Sequence, residues 1–538
     1  MKVIIPSAKL VSENLQNLGK LPAIVYPINQ RPVFDYLDKQ YKGAKFKILT
    51  FENAPVVHRR LNGYDANIED LPKLGDLGYT IYEGIKDLNG EGIVNFADTI
   101  VEDNISQING DVFFYSEDIP SDTWTFFKEK KGQITSIIDK KSVSSDSIEK
   151  LFVGVFKFTH LEYLKECLQD ALNSNNVVMS SFYMALMKYS EKYPFKAIKT
   201  DNWFDIGHAD KYFNSQLEVK AREFNHIKID KDRGILTKTS DNVDKFIGEI
   251  KWYLKLPSDI EYVRPRIFSY STSYTQPSVS MEYYAYHTVH ELFLYGDLTK
   301  SQWSDVFKRI KFVYHDFKRY TVSDDTKIKP ALKEMYLTKT INRLNELRKD
   351  KRFNRFFTSN IRVNNKDYMS LDRIMLILKD IIPKKLYDVN KFNIIHGDLC
   401  FANIMIDNNY SFIKVIDPRG KFGDFDIYGD SRYELAKLFH SVDGKYDFII
   451  KDLFNISYDL NKSEINYKIN DRIRDFDLYK LFIDVFGDEI GNDLQKVELV
   501  ESLLFLSMIP LHGESFKQQL TMLGTGLNIL NRIIDITA

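Results

Sequence analysis

Asn393-Ile-Ile-His396-Gly397-Asp398-Leu-Cys-Phe-Ala-Asn403-Ile-Met-Ile-Asp407, followed by Phe412-Ile-Lys-Val-Ile416-Asp417-Pro-Arg419-Gly420, decides the reading of the C-terminal half. An apolar strand delivers a loop carrying His, Asp and, five residues on, Asn. A hairpin of two apolar runs, 402–406 and 412–416, then returns the chain to a second Asp. Phosphoryl transfer needs such a set: an acceptor for the attacking hydroxyl's proton, and oxygen ligands that hold Mg²⁺ against phosphates. His-x-Asp-x₄-Asn alone arises by chance about once in fifteen chains of this length, so the strand context supplies the specificity.

Working outward, residues 224–229 and 234–239 read as paired strands across a charged turn, Asp230-Lys-Asp-Arg233. A helix follows over 243–256 and stops at Pro257, which cannot continue it. Residues 266–270 and 278–284 are strand-like. Beyond Thr299 the pattern is mainly helical, broken by the apolar run 392–395 and the hairpin, with a helix over 433–441.

The 393–420 stretch resembles the catalytic segment of the aminoglycoside phosphotransferase and choline kinase group, small-molecule relatives of the protein kinases. The resemblance implies a bilobal α+β fold, Asp398 as catalytic base, Asn403 and Asp417 as metal ligands, and His396 as a brace of the loop. It also implies an upstream phosphate grip. Lys238, ending an apolar strand in Gly234-Ile-Leu-Thr-Lys238-Thr, and Glu249 on the next helix match the group's lysine–glutamate pair. Ser280-Met281-Glu282-Tyr283-Tyr284 falls where a hinge would bond the adenine edge, with Met281 and Tyr283 lining the pocket. Arg419 is placed to touch phosphate or an acidic substrate, or to form a structural ion pair. Of the acidic group Asp424, Asp426, Asp430 and Glu434, Asp430 is expected to have the structural role. The turn before Lys238 has a single glycine, so no Gly-rich phosphate cover is evident.

The first 215 or so residues alternate β-rich runs (1–6, 46–51, 79–82, 110–115, 151–158) with helical patterns (33–40, 93–105, 161–172), then a helix over 182–192 and a short strand over 203–206. Alternation of this kind argues for a mostly parallel sheet covered on both faces. Lys20-Leu-Pro22-Ala-Ile-Val-Tyr-Pro27-Ile-Asn-Gln-Arg31-Pro32 resembles the start of sugar nucleotidyltransferases. Asn109-Gly110-Asp111 and Asp201-Asn-Trp203-Phe-Asp205-Ile-Gly207-His-Ala-Asp210 resemble their two metal-carboxylate segments. The resemblance implies a Rossmann-like α/β domain with Asp111 and Asp205 holding metal beside CTP or another nucleoside triphosphate. It departs at the phosphate cradle. After the first strand, Ser7 to Gly19 contains one glycine, no arginine and several bulky residues, and Ala23 stands where a lysine is expected; Lys9 and Lys20 are the nearby cations.

Composition fits this division. Of 538 residues, 44% are hydrophobic and 14% aromatic, which excludes a disordered chain. Lys+Arg 74 against Asp+Glu 75 leaves a formal charge of −1, with no global field toward nucleic acid. Two cysteines, Cys167 and Cys400, exclude a disulfide framework and fit a reducing compartment. The run MKVIIPSAKL reads as a buried strand rather than a signal peptide, and the apolar stretch 503–511 is too short to span a bilayer, so a cytoplasmic protein without membrane insertion is expected.

The expectation is therefore a nucleotidyltransferase-like domain over 1–217 and a phosphotransferase domain over 218–538, with an N-lobe at 218–290 and a C-lobe at 291–538. The C-terminal domain would use ATP and Mg²⁺ to phosphorylate a small hydroxylated metabolite, a sugar or amino alcohol. The N-terminal domain would either transfer a nucleotidyl group to that product, as in enzymes that activate precursors of capsule or other surface polysaccharides, or bind a nucleotide or sugar without turnover. Both readings stay open on the sequence, as do the acceptor, the base preference and the oligomeric state.

Overall fold

A computed structural model describes the chain except residues 29–30, 142–147, 175–178, 207–224, 231 and 472–475. The expected boundary at 217/218 and the motif residues Gly207, His208 and Asp210 lie outside the described residues. The chain divides into two compact units, Met1–Val219 and Lys220–Ala538.

The first unit is built on a nine-stranded sheet. Lys2–Pro6, Lys45–Thr50, Ala66–Asp70 and Gly92–Asn95 run parallel in one half. The other half is different. Glu149–Phe158 pairs antiparallel with Gly92–Asn95, with Val112–Asp118 and with the hairpin strand Thr125–Lys130, and only Lys196–Lys199 adds a further parallel pair. The sheet is mixed, correcting the expectation of a mostly parallel one. Its core is aromatic: Phe113, Phe127, Phe152, Phe156 and Phe158 are buried, and the Phe127 and Phe152 rings stack at 4.2 Å.

Two local readings are overturned for identifiable reasons. The run expected as a strand at 79–82 lies within the helix Leu77–Ile85. The Asp76 carboxylate caps that helix by accepting from Tyr79 N at 2.9 Å, and it also takes Ser181 N at 2.7 Å. The cap decides the matter against β-branched and aromatic composition. The helix expected over 93–105 is two strands, Gly92–Asn95 and Thr99–Val101. Asn95 makes the break: its amide donates to Phe96 O (2.9 Å) and Thr99 O (3.0 Å) while its carbonyl takes the Tyr41 hydroxyl (2.9 Å).

The second unit opens with an antiparallel sheet in the order Asn225–Asp230, Ile235–Ser240, Ser278–Glu282, Ile267–Ser271, with the helix Val243–Lys255 inserted after its second strand. The rest is mainly helical. Lys300–Lys318 starts with a capping box between Thr299 and Gln302. Leu494–Met508 and Phe516–Ile533 are buried over most of their circumference, which is why their sequences lack a clean polar face. The apolar runs of the motif form the small sheets expected of them: Phe392–Ile394 lies between Thr321–Val322 and Tyr428–Gly429, and Ile404–Ile406 pairs with Ile413–Val415. A four-stranded sheet of Lys366–Tyr368, Ile361–Val363, Glu464–Ile469 and Phe454–Asp459 is an addition that sequence patterning missed. Among the described residues no helix is long and apolar enough to cross a membrane.

Candidate active site

Lys238 sits in the strand Ile235–Ser240, opposite Val279. Its side chain points under the helix Val243–Lys255, where Glu249 receives it. Nζ donates to Oε1 at 2.8 Å and Oε2 at 2.9 Å, and to Asp417 Oδ1 at 2.7 Å. Lys238 and Glu249 are buried, whereas the Asp417 side chain is 49% exposed. Burial alone would lower the Lys238 ammonium, but Asp417 and Glu249 outweigh it and hold it above its ordinary value. Burial and the Asp417 charge push the Glu249 carboxyl up to about 7 against the pull of Lys238.

One helix organises everything around this pair. Glu249 holds Lys238; Trp252 Nε1 donates to Ile395 O at 2.7 Å; the Tyr253 hydroxyl accepts from Asp417 N at 3.1 Å. Gly420 lets the Asp417 loop close in on this helix, since a Cβ there would fall 2.1 Å from Gly248 O. Positions 248, 249, 252 and 253 share one helical face, so a single element sets Lys238, Asp417 and the loop that follows Ile395 in register.

The loop itself is fixed from both sides. His396 is wholly buried, its ring edge-on to Trp252 with centroids 5.3 Å apart, and burial lowers its imidazole to about 4, so it is neutral. Its Nδ1 accepts from Asp398 N at 3.3 Å. Glu434 accepts the backbone N–H of His396 at 2.9 Å and of Gly397 at 2.7 Å, and Arg419 N donates to His396 O at 2.9 Å. The carboxylate that holds the loop is therefore Glu434. Asp430 instead caps the helix Ser431–Val442, pairs with Arg432 at 2.7 Å and accepts from the Tyr336 hydroxyl at 2.9 Å. Asp426 pairs with Lys255.

Asp398 projects from this frame half-buried. Asn403 Nδ2 donates to Asp398 O at 2.8 Å and Oδ2 at 3.3 Å, and Lys437 Nζ lies 2.9 Å from Oδ1. Burial would raise this carboxyl, but Lys437 and Arg419 hold it well below the usual carboxylate range. Asn403 and Asp417 offer hard oxygen donors, and the described residues contain no cluster of three or more His, Cys, Asp or Glu suited to a metal.

Two backbone donors of the expected hinge are already taken. Ser278–Glu282 is an interior strand, and the N–H groups of Glu282 and Tyr283 are spent on Arg266 O and Gly234 O, both at 2.8 Å. Met281 is buried in that strand and Tyr283 is half-buried beyond its end. Backbone contacts to an adenine edge cannot come from Glu282 N or Tyr283 N.

In the first unit, Asp205 ends the strand Trp203–Asp205 and lies opposite Thr99. Asp98, in the turn just before Thr99, is the carboxylate beside it. Burial and the Asp205 charge push Asp98 up to about 6, and Ile206 N donates to Asp98 O at 2.9 Å. Asp111, expected to form the pair, is spent elsewhere: it accepts from Tyr189 OH (2.6 Å), Thr159 Oγ1 (2.6 Å) and Thr159 N (2.9 Å). The carboxylate beside Asp205 is therefore Asp98, not Asp111. The signal was present, since Ile93-Val-Asn-Phe-Ala-Asp98 is an apolar strand running into a carboxylate, but reading 93–105 as a helix hid it. The loop after the first strand fills its own interior, with Val11, Leu15, Leu18 and Leu21 buried and a short 3₁₀ turn over Glu13–Leu18.

No family model and no curated protein matches the sequence. Among solved structures, about 40% of the chain, its N-terminal part, is similar to nucleotidyltransferases. The CTP:phosphocholine cytidylyltransferase of Streptococcus pneumoniae is 17% identical over 41% of this chain and 99% of its own, with a TM-score of 0.34. The nucleoside-diphosphate-sugar pyrophosphorylase of Vibrio cholerae RC9 is 16% identical over 40% and 100%, with a TM-score of 0.33. The 4-diphosphocytidyl-2C-methyl-D-erythritol synthase of Anaerococcus prevotii DSM 20548 is 12% identical over 41% and 98%, with a TM-score of 0.29.

Proposed function

We propose that the unit Lys220–Ala538 is an ATP-dependent small-molecule kinase. The observation that carries this reading is the convergence on one helix face of the Lys238–Glu249–Asp417 triad and the braced Asp398–Asn403 loop. Lys238, already held against the exposed Asp417 carboxylate, would take the nucleotide phosphates. Asn403 and Asp417 would hold Mg²⁺, whose charge offsets that of the phosphate oxygens when bound. The acceptor's hydroxyl oxygen bonds to the γ-phosphorus, the bond to the β-bridging oxygen breaks, ADP leaves and the hydroxyl proton passes to Asp398. The test is ADP release from Mg-ATP across a panel of sugars, polyols and amino alcohols. Acceptor-dependent turnover that Asp398→Asn abolishes supports the reading; unchanged turnover in that variant sinks it.

For the unit Met1–Val219 we propose a nucleotidyltransferase-type site at Asp98 and Asp205. There a phosphate oxygen of the kinase product would attack the α-phosphorus of a nucleoside triphosphate and release pyrophosphate. Such a sequence activates a building block for surface polysaccharide synthesis. A second reading, binding without turnover, is favoured by one observation: the loop that should cradle phosphates is packed with its own apolar side chains. Pyrophosphate release lost in Asp98→Asn supports catalysis; tight CTP binding with no pyrophosphate supports the second reading.

A further inference from the structure

We infer that the acceptor site beside Asp398 takes an anionic hydroxylated molecule, one bearing a carboxylate or phosphate, and is closed to cationic amino alcohols. This rests on the kinase reading above and narrows its substrate class.

Three cations converge next to the proposed base. Lys437 Nζ is 2.9 Å from Asp398 Oδ1. Four residues earlier on the same helix, and so on the same face, stands Tyr433, which is buried. Its hydroxyl accepts from Arg419 Nη1 at 3.1 Å and from Lys339 Nζ at 3.3 Å, and Lys339 lies 5.5 Å from its ring centroid. The Arg419 stem lies against Gly397, within the loop that carries Asp398. Lys339 is brought in by a π turn over Lys333–Thr338, which immediately precedes it; turns of this kind recur at functional sites because they re-aim the residues that follow.

The charges do not balance. Among the described residues neither Lys339 nor Arg419 has a carboxylate within ion-pair distance, and the two nearest on the helix are committed, Glu434 to the loop backbone and Asp430 to Arg432 and Tyr336. Among the described residues Asp398 is the one carboxylate paired with any of the three, through Lys437. The local field is visible in its neighbours: burial, Arg419 and Lys437 lower the Lys339 ammonium, and although burial would raise the Tyr433 phenol, Lys339, Arg419 and Lys437 pull it down to about 8. Gathering uncompensated cations in a half-buried site is costly unless a bound anion offsets them. The nucleotide's phosphates have Lys238 for that purpose. The second cluster lies around Asp398, the group an acceptor's hydroxyl must touch, and a guanidinium with two ammonium groups matches a carboxylate or phosphate on the same molecule.

The test uses the full chain and calorimetry, with inorganic phosphate as the probe for the anion and choline chloride for a cationic acceptor. Both are titrated with and without saturating magnesium and the β,γ-imido analogue of ATP. The expected result is phosphate binding alongside the analogue, at least tenfold weaker in Lys339→Gln and restored in Lys339→Arg, with no choline binding. Circular dichroism establishes that the variants fold, and Arg419→Gln supplies the same test should Lys339→Gln not fold. If the analogue excludes phosphate, the cations serve the nucleotide and the inference is overturned while the kinase reading stands. Choline binding, or no phosphate binding under either condition, also overturns it. No binding of the analogue itself is the separate result that removes the kinase reading and this inference with it.

Discussion

Lys238 and Asp417, 179 positions apart in sequence, meet at 2.7 Å. This contact joins the first strand pair of the second unit to the end of the motif hairpin. It also places an ammonium where phosphate is expected and an exposed carboxylate where a cation is expected. With Mg-ATP bound, each would exchange its partner for a ligand of the same charge sign.

Lys238→Met should abolish phosphoryl transfer and also weaken the fold. It leaves Glu249 buried without its cation, a loss of about 3–5 kcal/mol by analogy with broken buried pairs. Urea denaturation reads the stability, and ADP release the activity, with at least a hundredfold fall expected. Full activity in the variant would mean that the phosphates are held elsewhere.

Asp398 should stay ionised throughout the working pH range, because its carboxyl is held well below the ordinary value. Its protonation therefore contributes no acid limb to kcat above pH ~4. Lys437→Met removes the nearest cation, so an acid limb should then enter the profile at or above the ordinary carboxylate value. A pH–rate profile identical to wild type would show that Lys437 does not set the charge state of Asp398.

Glu434 should titrate with the fold. Burial pushes its carboxyl up to about 7, opposed by the two loop N–H groups. A folded-state value above the unfolded one gives a stability contribution that is complete below the unfolded value and lost as pH rises through about 7. The wild type should thus lose up to roughly 3 kcal/mol relative to Glu434→Gln between pH ~5 and ~8. Parallel stability–pH curves for the two proteins would contradict this.

Gly420→Ala should separate the Asp417 loop from the lysine–glutamate pair. The glycine has φ +65°, and a Cβ there would collide with Gly248 O. The expected cost is about 1–3 kcal/mol, with KM for ATP raised more than tenfold. Unaltered nucleotide affinity would mean that this close approach does not position Asp417.

In the first unit, metal-dependent CTP binding should weaken as pH falls through about 6, because Asp98 must shed its proton to ligate a cation. Calorimetry at several pH values checks this, and Asp98→Asn should remove the pH dependence along with most of the affinity. Binding that depends on Asp111 instead would restore the pairing suggested by the sequence.

The parts of the site legible in the sequence are those joined by short range or strong pattern. His396, Asp398, Asn403 and Asp417 share one strand–loop–hairpin unit whose spacing encodes their proximity. Lys238 and Glu249 were found because a strand and the next helix carry them. The groups missed are contributed across the fold. Lys437, Tyr433 and Lys339 reach the loop from two helices, and nothing in a helix sequence reveals which charged residue faces inward when few have a local partner. Glu434 was visible only as one of four nearby acids; its three-residue spacing from Lys437, one buried helical face, was the available clue. In the first unit the failure was one of period. Asn95 breaks the run 93–105 into two strands through side-chain bonds to the backbone, and with that turn unread the place of Asp98 could not be seen.

The most direct measurement is a crystal structure of the full chain with magnesium and the β,γ-imido analogue of ATP. The expected result is a cation bound to Asn403 and Asp417, with Lys238 moved from Asp417 onto the phosphates while keeping Glu249, and the γ-phosphate facing Asp398. A nucleotide bound away from these residues, with the Lys238–Asp417 contact intact, would contradict it.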